Sequence, residues 1–147
     1  MLSRRLALSS FLALAATPAL RAFAAEPAFF RNPGCGCCEA WTERMAEAGM
    51  PVAMADSADL AAYSAKLGIP AGLEGCHVGE MDGYVISGHV PPEDIKRLLA
   101  ERPTARGLLV PGMPMGSPGM EMGDHKDRYD VLLLAADGTT SVFASHG

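Results

Sequence analysis

The sequence predicts an α/β domain, a mixed four-stranded sheet with helices on both faces, followed by a methionine-, proline- and glycine-rich loop and a β-hairpin. Three observations carry this expectation. Short apolar runs alternate with amphipathic helical stretches between Ala28 and Leu99. Helical stretches separate the first three runs, whereas only a turn through Asp82-Gly83 separates the third from the fourth, as in an antiparallel pair. After Pro103 the helical periodicity ends, and Pro and Gly crowd the chain from Pro111 to Gly119.

Ala28 to Arg31 is a strand closed by the turn residues Asn32-Pro33-Gly34. From Cys37 to Ala48, the residues Cys38, Trp41, Met45 and Ala48 recur at three and four, which predicts an amphipathic helix stopped by Gly49. Pro51 to Ala55 forms a second strand. Asp56, with Asp59 three residues on, offers the N-cap of a helix that runs through Leu60 and Tyr63 to Leu67 and ends at Gly68 and Pro70. Cys76 to Glu80 and Tyr84 to Gly88 make the hairpin. Pro92, Glu93 and Asp94 open a third helix with a proline in the first turn and acids against the dipole; Ile95, Leu98 and Leu99 form its buried stripe. A βαβ unit followed by a ββα unit builds one mixed sheet. With cysteines between the first strand and first helix, this order looks like a thioredoxin fold.

Residues 25–103 form that thioredoxin-like domain, and 104–147 an extension packed on it. Gly107 to Pro111 is extended, and Tyr129 to Leu134 pairs with Thr139 to Ala144 through Asp137-Gly138. Two such strands need a surface to cover, because an isolated hairpin is marginal.

Residues 1–24 read as a signal peptide. Arg4 and Arg5 form a basic region, Leu6 to Ala16 an apolar one, and Ala22-Phe23-Ala24 a small-x-small site cut after Ala24. The alternative is an uncleaved anchor, but the apolar run to Leu20 falls short of the roughly 20 residues that span a bilayer. Ser3-Arg4-Arg5 resembles a twin-arginine signal, while Ala7 stands where a bulky apolar residue is usual, so both export routes stay open. Removal of Arg4, Arg5 and Arg21 takes the charge from -5 to -8. An acidic surface of this kind argues against nucleic acid and, once the chain is processed, against anionic membranes. The periplasm is the expected compartment. There, unpaired cysteines need a reason to exist.

Cys35, Cys37 and Cys38 place three thiols within four positions. Cys35 and Cys38 have the C-x-x-C spacing, and the helix start lowers a thiol pKa, favouring attack on a disulfide or binding of a soft metal. Cys37 adds a sulfur that a two-thiol redox cycle does not require. Structural disulfides are a competing reading. Cys76-His77 opens the third strand, the start of which faces the C-x-x-C loop in a thioredoxin fold. Cys76 reads as a ligand or as a small buried core residue. His77 reads equally as ligand or structural histidine, its side chain expected to point away from that of Cys76. His89 ends the fourth strand, as a packing residue or a ligand.

Zinc sites usually use spaced cysteine pairs. Bunched thiolates instead suit several bridged Cu(I) ions of low coordination number. Met113 with Met115, and Met120 with Met122, each put two thioethers on one side of an extended segment; thioethers bind Cu(I) well and zinc poorly. His125 follows closely. Met45, Met50, Met54 and Met81 lie in element patterns and belong to the core. No phosphate-binding loop, nucleophile elbow or paired-carboxylate pattern is present.

Asn32 to Cys38 with Trp41, then Cys76-His77, Gly83 to Pro91, and Val110 to Met120 together resemble the CopG-type copper-resistance proteins, a family unrelated to the ribbon-helix-helix repressors that share the name. The resemblance covers essentially the whole chain after residue 24. It implies an exported, thioredoxin-like protein that handles copper in the periplasm, with Cys35, Cys37, Cys38 and Cys76 as cluster ligands and Met113, His77 and His89 nearby. Met115 and Met122 are this chain's own additions. The leading expectation is therefore a periplasmic copper-resistance protein that holds Cu(I), in several ions, with methionines 113 to 122 as a lid. It would exchange copper with other periplasmic carriers or efflux components. Whether it also turns over as a copper or thiol oxidoreductase is open. The alternatives are a thiol-disulfide oxidoreductase using Cys35 and Cys38, and an iron-sulfur carrier.

Overall fold

The computed structural model describes residues 28–147. The expected signal peptide and its expected cleavage after Ala24 lie outside the described residues. The elements are β1 (Ala28–Arg31), α1 (Gly36–Glu47), β2 (Ala53–Asp56), α2 (Leu60–Lys66), β3 (His77–Met81), β4 (Tyr84–Ser87), α3 (Pro92–Glu101), β5 (Gly107–Leu109), β6 (Tyr129–Leu134) and β7 (Thr140–His146).

The strands form one mixed sheet in the order β2-β1-β3-β4-β5-β6-β7. β1 runs parallel to β2 and antiparallel to β3, which is antiparallel to β4. The expected count of four is corrected to seven, because α3 does not end the sheet. It crosses over to β5, which lies parallel to β4 and leads into the antiparallel β6 and β7. The C-terminal hairpin thus continues the sheet. β5 escapes pattern reading because it is three residues long and all of them are buried, so no polar alternation marks it.

The pleat sends alternate residues to two cores. On one face Phe29, Ile86 and Leu108 meet Trp41 and Met45 of α1 and Ile95 and Leu98 of α3. On the other, Val78, Val85 and Leu109 meet Leu60 of α2, with Tyr63 and Leu67 beside it. Helices therefore cover both faces. Met45 and Met81 are buried, with Met50 and Met54 packed against the first core.

Asp59 caps α2, its carboxylate accepting from the Ala62 N–H at 2.9 Å. The expected cap, Asp56, instead pairs with Arg31 at 2.8 Å at the end of β1. No helix among the described residues is long and apolar enough to cross a membrane.

Candidate metal centre

The centre lies where β1 gives way to α1. Gly34 takes a left-handed conformation, φ 74°, so the chain turns sharply and presents Cys35 at the N-cap of α1. Arg31 holds this turn: its guanidinium donates to the Cys35 carbonyl at 3.2 Å and pairs with Glu39 and Asp56 at 2.8 Å each. Cys37 and Cys38 follow in the first helical turn, Cys38 fully buried.

Cys76 arrives from the opposite side, in a bend one residue before β3. Its carbonyl accepts from the Asn32 N–H at 3.3 Å, which ties the bend to the cysteine loop. The backbone behind it packs too closely for side chains: a Cβ on Gly75 would lie 2.3 Å from the Gly88 Cα. These contacts bring four sulfurs within 4.8 Å of one another.

Cys35 and Cys38 are joined by a disulfide, and Cys37 and Cys76 are free thiols. Cys37 Sγ lies 3.4 Å from Cys35 Sγ, and Cys76 Sγ 3.3 Å from Cys38 Sγ. Disulfide sulfurs carry no proton, so only Cys37 and Cys76 can donate across these contacts. Each free thiol thus stands beside one end of the disulfide.

Two histidines face Cys76. His89 Nδ1 donates to the Pro118 carbonyl at 2.7 Å, which leaves the Nε2 lone pair 3.1 Å from Cys76 Sγ. His77 Nδ1 lies 3.4 Å from the same sulfur. The expectation that His77 points away from Cys76 is corrected. Alternation applies within a strand, and Cys76 belongs to the bend. The His77 ring packs between Trp41 and His89, with centroids at 4.4 and 5.2 Å, and its buried Nε2 has no hydrogen-bond partner.

Burial pushes the Cys76 thiol up to about 12, and the neighbouring Cys37 adds to this. Burial, with repulsion from His89 second, holds His77 down at about 3, and burial also lowers His89. The metal-free centre therefore keeps a protonated Cys76 against neutral imidazoles. Thiols, imidazole lone pairs and a thioether make a donor set suited to a soft ion, once the disulfide is reduced and the thiol protons leave.

The methionine-rich loop covers one side. Met113 Sδ lies 3.9 Å from Cys37 Sγ and is 53% exposed. Gly119 lets the loop seat on α1; a Cβ there would come within 2.6 Å of the Trp41 nitrogen and 2.7 Å of the Cys37 carbonyl. Glu121 pairs with Arg44 at 2.9 Å, and Ser117 is fully buried. Met120 accepts from the Gly116 N–H at its carbonyl, Met115 donates its N–H to Asp127, and Met122 is exposed at the loop's far turn. The structure thus draws Cys35, Cys37, Cys38, Cys76, His77, His89 and Met113 together, while Met122 points into solvent. Arg31 and the Pro118 carbonyl escape sequence reading. Arg31 borders the cysteine motif, which is a weak signal, and a backbone acceptor leaves none.

Fold and site define an α/β protein with a half-buried sulfur and imidazole centre at a helix start. A family described as a protein of unknown function, DUF411, matches residues 73–120. Two solved structures are similar over 82% of this chain. Copper resistance protein copG, form 1, is 42% identical with a TM-score of 0.77 and 95% of its chain covered. Form 2 is 41% identical with a TM-score of 0.78 and 97% covered. The chain matches none of the curated proteins. The chain belongs to the CopG-type copper-resistance protein family.

Proposed function

We propose that this chain is a periplasmic copper-binding protein of copper resistance that holds Cu(I), in more than one ion, on Cys35, Cys37, Cys38 and Cys76. The observation that carries the reading is the convergence of all four sulfurs within 4.8 Å, with His77 and His89 against Cys76. Met113 extends the donor set at the solvent side, and Met115, Met120 and Met122 line the loop through which copper arrives. The order β2-β1-β3-β4, with the cysteines between β1 and α1, supports the thioredoxin-like reading of residues 25–103. Export rests on the basic, apolar and small-residue segments of residues 1–24. N-terminal mass analysis of protein from the periplasm tests it and should begin at Ala25.

Binding needs two preparatory steps. Two electrons and two protons from a dithiol convert the Cys35–Cys38 disulfide to thiols; an incoming ion then displaces the thiol protons to solvent, and neutral His89 keeps its Nε2 lone pair towards Cys76. The test is anaerobic Cu(I) titration of the reduced protein against a competing chelator. Retention of more than one ion per chain, reduced by Cys37→Ser, is expected. Retention of one ion or none, or full retention after Cys37→Ser, sinks the cluster.

One observation favours a second reading. The Cys35–Cys38 disulfide is the oxidised state of a C-x-x-C oxidoreductase. That reading requires turnover of a disulfide substrate that persists in Cys37→Ser and Cys76→Ser variants.

A further inference from the structure

The far turn of the methionine-rich loop holds a second set of soft donors outside the cysteine centre. Met122 and His125 form an antiparallel bridge across the two-residue turn Gly123-Asp124. Directly bridged residues project to the same side of the ribbon, with Cβ atoms about 5 Å apart. That spacing lets a thioether and an imidazole reach one small ion. Both are open to solvent, Met122 at 66% and the His125 side chain at 71%.

His125 is also oriented. Its Nε2 lies 3.1 Å from Asp127 Oδ1, two residues further along the chain. A carboxylate only accepts, so Nε2 carries the proton of the neutral ring and Nδ1 keeps its lone pair. Asp127 is fixed in turn: its Oδ2 accepts from the Met115 N–H at 2.8 Å, and its own N–H donates to the Met115 carbonyl at 2.9 Å. A carboxylate behind one nitrogen of a histidine is the usual support of a metal-bound imidazole.

We propose that Met122 Sδ and His125 Nδ1 form a separate surface site for a soft monovalent cation, with Asp127 as the positioning residue. The identity of that cation as Cu(I) rests on the proposed function; the site itself does not. Two donors and open solvent make it a weak, fast-exchanging capture point. It stands on the same loop that brings Met113 to Cys37.

The test uses the full reduced chain under anaerobic conditions with Ag(I), a soft monovalent ion that undergoes no redox change. Thiolate-to-metal absorption reports the cysteine centre, while the Met122 methyl and His125 ring nitrogens are followed by NMR. After the thiolate signal saturates, further Ag(I) should shift the Met122 methyl and His125 Nδ1 together. Met122→Leu and His125→Gln should each abolish the paired shift, and His125→Gln, at an exposed position outside the copper path, should leave the thiolate signal unchanged. Asp127→Asn should weaken the site by about 10- to 100-fold. Absence of the paired shift, or its survival in either ligand variant, overturns the proposal. A paired shift without any thiolate signal upholds the surface site and overturns the cysteine reading.

Discussion

The cysteine centre and the tip of the methionine-rich loop present soft donors in opposite surroundings. At the centre, donors come from α1 and from the bend before β3, both anchored on the sheet, and Cys38 is fully buried. Its Cys76 thiol is held protonated, and two of its sulfurs are tied in a disulfide. At the tip, Met122 and His125 sit in water with lone pairs available. Burial and convergence favour retention but demand removal of protons and addition of electrons. Exposure favours access and gives little retention. A protein that must both collect and keep a soft ion benefits from having the two apart.

The largest effect should come from Cys76, whose sulfur lies within 3.4 Å of Cys38, His77 and His89. Losing an outer partner of a ligand lowers metal affinity by about 10- to 100-fold, and losing this ligand should exceed the upper figure. Chelator competition with Cys76→Ser checks it, and the tip should respond to Ag(I) as before.

Gly119→Ala should come next. Its φ of +86° and contacts with the Trp41 nitrogen and Cys37 carbonyl force the loop off α1, separating Pro118 from His89. Affinity at the centre should fall by about 10- to 100-fold, as for loss of an orienting partner. The sheet should survive, so far-ultraviolet circular dichroism stays unchanged while chelator competition reports the loss.

The two regions should also differ with pH. Because burial raises the Cys76 thiol to about 12, expulsion of its proton makes apparent affinity at the centre rise about tenfold per pH unit across the neutral range. The tip expels no thiol proton and should change less. Stability of the copper-free protein runs in the same direction. His77 is held near 3 in the fold against an ordinary 6.5, so below pH 6.5 the unfolded chain binds a proton that the fold does not. Its contribution is therefore complete above pH 6.5 and falls by up to ~1.4 kcal/mol per pH unit towards pH 3. Denaturant midpoints between these limits, with His77→Phe as the less pH-sensitive comparison, check it.

Glu121→Gln should have the smallest effect. The Arg44–Glu121 pair is exposed, and exposed pairs contribute little in water. Thermal midpoints should stay within experimental scatter, with Gly119 and Ser117 keeping the loop seated.

The contrast also explains what the sequence made legible. Cys35, Cys37 and Cys38 are neighbours in the chain, so their grouping needs only a helix start to become geometry. Cys76 follows from the strand order. His77 was harder, because a one-residue shift in where β3 begins reverses the expected side-chain direction. His89 turns on the Pro118 carbonyl, and a backbone acceptor has no residue-type signature. The seven-stranded sheet was hidden in Gly107-Leu108-Leu109, three buried residues whose pairing with β4 is a long-range event. Asp59 displaced Asp56 as the α2 cap because Asp56 had a stronger partner in Arg31 across the β1–β2 pair.

Metal analysis of the protein isolated anaerobically from copper-grown cells separates a copper-holding centre from a metal-free thiol pair. Copper should be the dominant metal, at more than one ion per chain, lost in Cys76→Ser and retained in the exposed variant His125→Gln. Zinc as the dominant metal, no metal at all, or copper retained in full after Cys76→Ser would contradict the copper-holding centre.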